Sequence, residues 1–358
     1  MAYVAVSGGQ KAIEKSIELL HFFRSRTEKN LDLEALQVQL NLLIDRIMSE
    51  AGFYTSAYAA LALHQCEGSV EEAVFLLRAY RSTLSRNYYT IPVNTIHMRV
   101  IRRISAAFKD IQGGQLLGAT YDYTHRLLNF EGETRTSHES YQQMCTVLGQ
   151  VTPLPISPCE RVSSPLKKEG LIDEYPLNQE KPYDITKNIL TFPCPRSARL
   201  QTLARADTGF ISGLAYSALR GFGQVHPTVG ELRIGYVALE IPYLFDNSES
   251  IYLGEILISE VECFNEVKEA HSLKIGVGYG AVFGRNENKA IAMAVLDREL
   301  EHPGSNPPQN EEFVLTHGDS LEMNGFISHL KLPHYVTFQS KLDALRKTRN
   351  NNPHESSL

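Results

Sequence analysis

The stretch Glu231-Leu232-Arg233-Ile234-Gly235-Tyr236-Val237-Ala238-Leu239-Glu240-Ile241 reads as a strand, and two further strand-like runs follow it, Ile251 to Val261 and Leu273 to Phe283. After them Asn286 can cap a helix whose Ala290, Met293, Ala294, Leu296 and Leu300 supply a buried stripe. A helix near Ser197 to Arg205 precedes the strands, so residues 196–345 are expected to form an α+β domain, followed by a frayed tail at 346–358.

The first 130 residues have a different pattern and are expected to be mainly helical. A short opening strand, Tyr3 to Val6, runs into Gly8 and Gly9. Ile13, Ile17 and Leu20 then share one helical face, and Leu36, Leu40, Leu43 and Ile47 repeat at spacings of four, three and four. Gly52 suits the end of that second helix. Helices around Ala57 to His64 and Val70 to Tyr80 are separated by Glu67-Gly68-Ser69, a turn followed by an N-cap. Between the two halves, residues 131–195 hold eight of the 16 prolines among many Ser, Thr, Glu and Lys, which reads as a long irregular insertion. The fold class is therefore α+β, with a helical first part, an irregular insertion and a mixed second part.

Composition narrows the functional classes. The 358 residues suffice for about two domains, and 43% hydrophobic with 21% charged residues is ordinary for a globular protein. The net charge of −6 gives no global reason to expect nucleic acid or an anionic membrane as partner. No apolar stretch approaches the roughly 18 to 20 residues that span a bilayer, and Met1 to Gln10 lacks a signal-peptide pattern, so the expected location is the cytoplasm. The five cysteines, Cys66, Cys145, Cys159, Cys194 and Cys263, are dispersed and contain no C-x-x-C pair. A disulfide framework and an iron–sulfur site within this chain are both disfavoured, so radical chemistry would belong to a partner.

Several groups of residues could carry chemistry. From Ala73 to Lys109 there are seven basic residues, Arg78, Arg81, Arg86, Arg99, Arg102, Arg103 and Lys109, and no acidic one. They read as a polyphosphate cradle, a solvated face or a subunit interface. The glycine-bearing run Asp110 to Arg126 packs carboxylate, imidazole, guanidinium and phenol together. In a helix Asp122 and His125 would share one face as acid and base; in a turn they would form a surface ion pair. His329 and His334 stand five apart, which diverges by about 140° in a helix and alternates faces in a strand, so convergence on a metal needs a bend, which Pro333 can supply. A third ligand would then have to come from elsewhere in the chain, another subunit, substrate or water. Gly276-Val277-Gly278-Tyr279-Gly280-Ala281 matches a dinucleotide-binding pattern but reads better as a twisted glycine-rich strand. Tyr216 to His226 reads as a loop that could close over a ligand.

Three motifs resemble one family: Gly113-Gly114-Gln115-Leu116-Leu117-Gly118; Tyr121-Asp122-Tyr123-Thr124-His125-Arg126-Leu127-Leu128; and Phe326-Ile327-Ser328-His329-Leu330-Lys331-Leu332-Pro333-His334-Tyr335-Val336. On these the sequence is similar to the PhnI subunits of the bacterial carbon-phosphorus lyase core complex. The resemblance extends through Phe75 to Arg81, Arg102 to Ala106, Ala215 to Ser217 and Glu311 to Leu315, and skips the proline-rich segment. Ser7 stands where the family carries a lysine before the glycine pair.

The resemblance implies phosphonate catabolism. The purine of ATP or GTP would be replaced by methylphosphonate, giving α-D-ribose 1-methylphosphonate 5-triphosphate, with purine-nucleotide nucleosidase activity when the chain is alone. For that chemistry Arg78, Arg102, Arg103, Lys109 and Arg126 are the candidate phosphate ligands, with Mg²⁺, and Asp122 or His125 is the candidate group acting on the departing base or the cationic sugar. The resemblance also implies Zn²⁺ on His329 and His334 at a subunit interface. The implied partners are the other core subunits, including a radical S-adenosylmethionine subunit, and associated nucleotide-binding-cassette subunits. A rival expectation is a non-catalytic scaffold that contributes the interface metal site; an independent zinc hydrolase fits less well, since no complete ligand set stands at close spacing.

Overall fold

The structure is a computed structural model that describes residues 9–27, 31–128, 130, 138–150, 159–173, 181–245, 249–268 and 273–351. The expected opening strand, with Ser7 and Gly8, lies outside these residues, as does 352–358 of the expected tail. The helical first part comprises α1 (Gly9–Arg24), α2 (Leu33–Gln39), α3 (Asn41–Ala51), α4 (Ser56–Gln65) and α5 (Val70–Ser82). Its turns follow local chemistry. Asp32 caps α2 by accepting from Glu34 N (3.3 Å) and Ala35 N (3.1 Å), and Ser69 Oγ caps α5 by accepting from Glu72 N. Gly52 closes α3 with φ +60°, a left-handed conformation that glycine adopts without a side-chain clash. Ile44, Ile47, Ala59, Leu63, Val74 and Leu77 from α3, α4 and α5 form the core of this part. The apolar face of α1, with Ile13, Ile17 and Leu20, is formed as its spacing predicts, yet no residue of α1 is buried by the rest of the chain.

Helical structure stops at α5. Residues 83–128 are irregular apart from a 3₁₀ turn at Thr95–His97 and β1 (Arg99–Ile104), so the expectation of a mainly helical first part fails there. β1 is the edge of a four-stranded antiparallel sheet that continues with β2 (Thr228–Pro242), β3 (Ser250–Lys268) and β4 (Leu273–Phe283) in the order β1-β2-β3-β4. A strand from before the insertion thus completes the sheet of the second part. The insertion contributes α6 (His138–Gly149) and α7 (Ser163–Lys168). Then come α8 (Arg196–Arg205), α9 (Thr208–Ser217) with a π turn at Ala218–Phe222, α10 (Glu287–Glu299), α11 (Glu311–His317), α12 (Ser320–His329) and α13 (Tyr335–Asn351). α13 extends through residues 346–351, which were expected to fray.

The two faces of the sheet are covered differently. Leu232, Ile234, Val261 and Cys263 pack against Ala290, Met293, Ala294 and Leu296 of α10 in one apolar core. The glycine-rich run lies in β4 as expected, and its purpose is the approach of α10: a Cβ at Gly278 would overlap Ala294 O, and one at Gly280 would overlap Ala290 O. Asn286 occupies the N-cap position of α10, although its side chain makes no capping hydrogen bond. Strand alternation sends the intervening residues to the opposite face. There Arg103, Glu231, Arg233, Glu260 and Glu262 are all buried, lying between a small cluster of Met98, Val237 and Ile258 and another of Val162, Leu166, Ile172 and Phe264. Residues 159–173, within the segment expected to be irregular, form part of the cover of this face.

Candidate functional site

The run Asp110 to Arg126 folds back along β1 through Gly113, Gly114 and Gly118, which take φ of +83°, +76° and +66°. Backbone bonds exchanged between Arg103 and Leu116 (2.7 Å each way) fix its register, and a Cβ on Gly118 would overlap Ile101 O. Residues 121–124 form a turn, so the helical spacing of Asp122 and His125 is not realised. Asp122 instead joins two guanidiniums: Oδ2 accepts from Arg102 Nη2 at 2.7 Å and Oδ1 pairs with Arg126 Nη2 at 3.2 Å. Arg126 also lies over the Tyr121 ring, 5.2 Å from its centroid. Arg102, itself buried, bridges onward to Glu287 in the first turn of α10 at 2.8 Å. His125 is exposed on the same loop and, among the described residues, makes no hydrogen bond or ion pair.

The structure therefore unites Arg102, Asp122 and Arg126 and separates the other expected phosphate ligands from them. Arg103 is adjacent to Arg102 in a strand and points to the opposite face. Its Nε pairs with Glu231 at 2.5 Å, Nη1 donates to Gln112 O and Nη2 donates to Glu160 O at 2.9 Å. Arg103 is 2% exposed and spends these donors between the sheet and its cover, on the face opposite Asp122. Arg78 links three elements, pairing with Asp319 at 2.5 Å and donating to Glu50 O at 2.6 Å and Arg205 O at 3.3 Å. Lys109 is exposed on the loop.

Two arginines that sequence reading did not select lie beside Arg78. Arg81 donates to Ala51 O and Gly52 O at 2.8 and 3.0 Å, and both Arg81 and Arg205 line the space above Gly52. Burial, together with Arg78 and Arg81, pushes the Arg205 guanidinium down to about 10, and its buried Nε has no hydrogen-bond partner. Arg81 belongs to the basic run already noted, but Arg205 lies on another helix, and no local pattern in the sequence joins the two.

The histidine pair sits where α12 ends. Asp319 caps this helix by accepting from Leu321 N (2.9 Å) and Glu322 N (3.2 Å) while holding Arg78, so α5 helps to fix the helix that carries His329. The chain turns through Leu330 to Pro333 and brings the two rings within 5.5 Å, centroid to centroid, supplying the required bend. His334 Nδ1 lies 2.6 Å from Leu332 O, and His329 Nδ1 contacts Phe326 O. A carbonyl accepts only, so in the neutral form of each ring this contact favours the tautomer with the proton on Nδ1 and the lone pair on Nε2, one that can ligate a metal. Among the described residues no group of three or more His, Cys, Asp and Glu could hold a metal, so this pair is at most part of a shell. Around it Phe326, Ile327, Leu330, Val336 and Phe338 are exposed. An open groove of about 800 Å³ has Phe75, Leu321 and His329 among its walls. These large apolar side chains are left uncovered by the described residues around the pair. Among the described residues no helix is long and apolar enough to cross a membrane.

Comparison with known proteins supplies the context for these sites. Residues 2–352 match the family described as bacterial phosphonate metabolism protein, PhnI. The chain is 43% identical to the alpha-D-ribose 1-methylphosphonate 5-triphosphate synthase subunit PhnI of Escherichia coli K12, covering 98% of this chain and 99% of that one. It is 45% identical to the putative C-P lyase subunit protein HtxH of Stutzerimonas stutzeri, covering 98% of this chain and 96% of the relative. The synthase subunit PhnI of Rhizobium meliloti 1021 is 42% identical, with 97% of this chain and 95% of the relative covered.

Proposed function

This chain belongs to the PhnI family of bacterial phosphonate metabolism proteins, and on that premise we propose that it displaces the purine of ATP or GTP with methylphosphonate. The products are α-D-ribose 1-methylphosphonate 5-triphosphate and adenine or guanine, and the isolated chain acts as a purine-nucleotide nucleosidase. The observation that carries this reading is the end-to-end match, 98% of the chain, to a protein named as a subunit of that synthase.

Displacing a base from ribose needs neutralised phosphates, a hydrogen bond for the leaving purine and an environment that tolerates an oxocarbenium-like sugar. The Arg102–Asp122–Arg126 cluster supports the first and third needs. A triphosphate, arriving with Mg²⁺ as part of the substrate, competes with Asp122 for the two guanidiniums and leaves a carboxylate facing the sugar. His125, on the same loop, serves the purine, and Lys109 and the Arg78–Arg81–Arg205 group extend the positive field. Replacement of a β-linked base by an α-linked phosphonate requires attack from the opposite face of the sugar.

For zinc, the chain's own ligands are His329 Nε2 and His334 Nε2, in tautomers favoured by backbone carbonyls, and the remaining ligands come from a partner subunit or from water. Zinc bound there would polarise an oxygen held in its open position.

Adenine release from ATP by the isolated chain tests the reading. Folded Asp122→Asn and His125→Ala variants are expected to lose at least about tenfold in rate, in line with the removal of an acid, base or electrostatic group. Wild-type rates in both would refute these roles. A second reading, a scaffold that assembles other subunits, is favoured by the uncovered apolar faces of α1 and of the α12–α13 region. Its signature is no adenine from the isolated chain, with phosphonate transfer appearing once partner subunits are added.

A further inference from the structure

Three arginines gather where the C-terminal half of α5 and the last turn of α8 meet the end of α3: Arg78 and Arg81 from α5, and Arg205 from α8. Two of them serve the fold. Arg78 pairs with Asp319 and donates to Glu50 O, and Arg81 Nη1 donates to Ala51 O and Gly52 O, so both close the C-terminus of α3, where carbonyls lack helical donors. Arg205 does not share in this capping. Its Cδ and Nε lie 3.3 Å from the point a Cβ on Gly52 would occupy, and Arg81 Nη1 lies 3.0 Å from the same point, yet the Arg205 side chain makes no hydrogen bond or ion pair among the described residues. Its Nε is enclosed, whereas Nη1 and Nη2 are not.

Charge within this group does not balance. Arg81, like Arg205, forms no ion pair among the described residues. The carboxylates whose fields reach Arg205 are Asp319 and Asp184, and both are engaged elsewhere. Asp319 holds Arg78 at 2.5 Å and caps α12, while Asp184 holds Arg86 at 2.8 Å and accepts from Thr186 N at 2.9 Å. Four guanidiniums, Arg78, Arg81, Arg86 and Arg205, thus stand against two carboxylates, leaving two positive charges over. Burial and the neighbouring arginines push both Arg81 and Arg205 below the usual arginine range. A half-buried guanidinium without a partner, beside like charges, lowers stability until an anion neutralises it.

We propose that Arg81 and Arg205 together bind a phosphoryl dianion. The free donors are Nε and Nη2 of Arg81 and Nη1 and Nη2 of Arg205. A carboxylate has two oxygens and satisfies one guanidinium fork, whereas a tetrahedral phosphate can accept from two forks at once. Its two negative charges also cancel the surplus. Among the described residues no hydrogen bond or ion pair joins this group to Arg102, Asp122 or Arg126, so the site is separate from that loop. Inorganic phosphate and the triphosphate of a nucleotide share the required chemistry. With free phosphate the site is independent of the reaction; with a nucleotide it is a contact for the substrate's triphosphate and rests on the function proposed above.

The test is isothermal titration of the full chain with inorganic phosphate and with ATP and Mg²⁺, joined to thermal unfolding in phosphate and in chloride at equal ionic strength. Phosphate should bind saturably and raise Tm above its value in chloride. Arg205→Met and Arg81→Gln should each weaken that binding at least about tenfold, as expected for the loss of a charge-assisted fork. In chloride Arg205→Met should melt no lower than the wild type, because a like charge has been removed. An ATP affinity that falls with that for phosphate assigns the site to the nucleotide, and one that holds assigns it to free phosphate. The proposal is overturned if neither ligand binds the wild-type chain saturably, or if affinities are unchanged in both variants. It is equally overturned if Arg205→Met melts well below the wild type in chloride, which would give this guanidinium a role in the fold. Adenine release from ATP, recorded in parallel, separates this proposal from the reaction. If the wild-type chain and the assembled complex release no adenine while phosphate binding responds to Arg205, the proposed reaction falls and the site stands. If release is intact and binding absent, the reverse holds.

Discussion

The two faces of the sheet are buried to a similar degree by opposite means. Towards α10, Leu232, Ile234, Val261 and Cys263 are removed from water by packing alone. On the other face, the alternate residues of the same strands bury three carboxylates and two guanidiniums, to which the cover adds Arg161. Arg233 pairs with Glu260 at 2.5 Å, Arg161 pairs with Glu260 at 2.7 Å and Glu262 at 2.5 Å, and Tyr279 donates to Glu260 at 2.8 Å. The apolar face gains from every square ångström it hides. The ionic face offsets a desolvation cost by pairing and returns little net stability. A buried ionic face is weak evidence for stability. The contrast separates a surface that holds the fold together from one whose buried charges mainly hold one another in place.

The contrast is most open to test on the apolar side. Gly280→Val places a branched side chain where the backbone carbonyl of Ala290 lies, and neither strand nor helix can withdraw without opening the core. We expect a loss beyond about 4 kcal/mol, seen as insoluble protein or the absence of a cooperative thermal transition. A Gly280→Val variant that melts like the wild type would show that α10 does not depend on a glycine floor.

On the ionic face the expected loss is smaller and partly recoverable. Arg233→Met leaves Glu260 with Arg161 as its remaining cation, for an expected cost of about 3 kcal/mol in urea unfolding, at the low end for a broken buried pair. Adding Glu260→Met should restore part of that loss, whereas additive losses would mean that the pair itself supplies stability. The pH dependence has a definite sign. Burial alone would raise the Glu260 carboxyl, but Arg233 and Arg161 outweigh it and hold it below the usual glutamate range. A depressed carboxylate contributes stability above its unfolded pKa of about 4.3, and that stability is lost as pH falls through the folded value. Arg233→Met should therefore shrink the acid-side loss.

Much of this architecture is legible in the sequence because it depends on neighbours. The strands β2, β3 and β4 follow from their composition, α3 and α5 from apolar spacing with Gly52 and Ser69 as punctuation, and the histidine pair from the bend that Pro333 allows. The illegible parts depend on distant partners. β1 reads as a basic patch because its arginines are balanced by Glu231 and Glu287, far along the chain. Residues 159–173 read as loop because the value of Arg161 lies in Glu260 and Glu262. The grouping of Arg205 with Arg78 and Arg81 has no local signal, and the pairing of Asp122 with Arg102, in place of His125, depends on a turn whose glycines fold the loop back onto β1.

A third kind of burial differs from both faces and carries the smallest expected effect. Lys289 points from α10 towards α3, fully enclosed, its Nζ 2.9 Å from Ser49 Oγ. Burial pushes its ammonium down to about 7 even though Glu50 pulls the other way. Here a charge is accommodated by losing its proton, where Arg233 is accommodated by pairing. The folded pKa lies below the unfolded value of about 10.4, so between these limits the unfolded chain binds the extra proton and stability rises with pH, by up to about 1.4 kcal/mol per unit. Below pH 7 both states are protonated and the slope vanishes. Urea unfolding of wild type and Lys289→Met from about pH 7 to 9 should show the rise in the first and a flatter profile in the second. Parallel profiles would mean that Lys289 keeps its proton, and that the helix side of the molecule, like the ionic face, holds its charges by pairing.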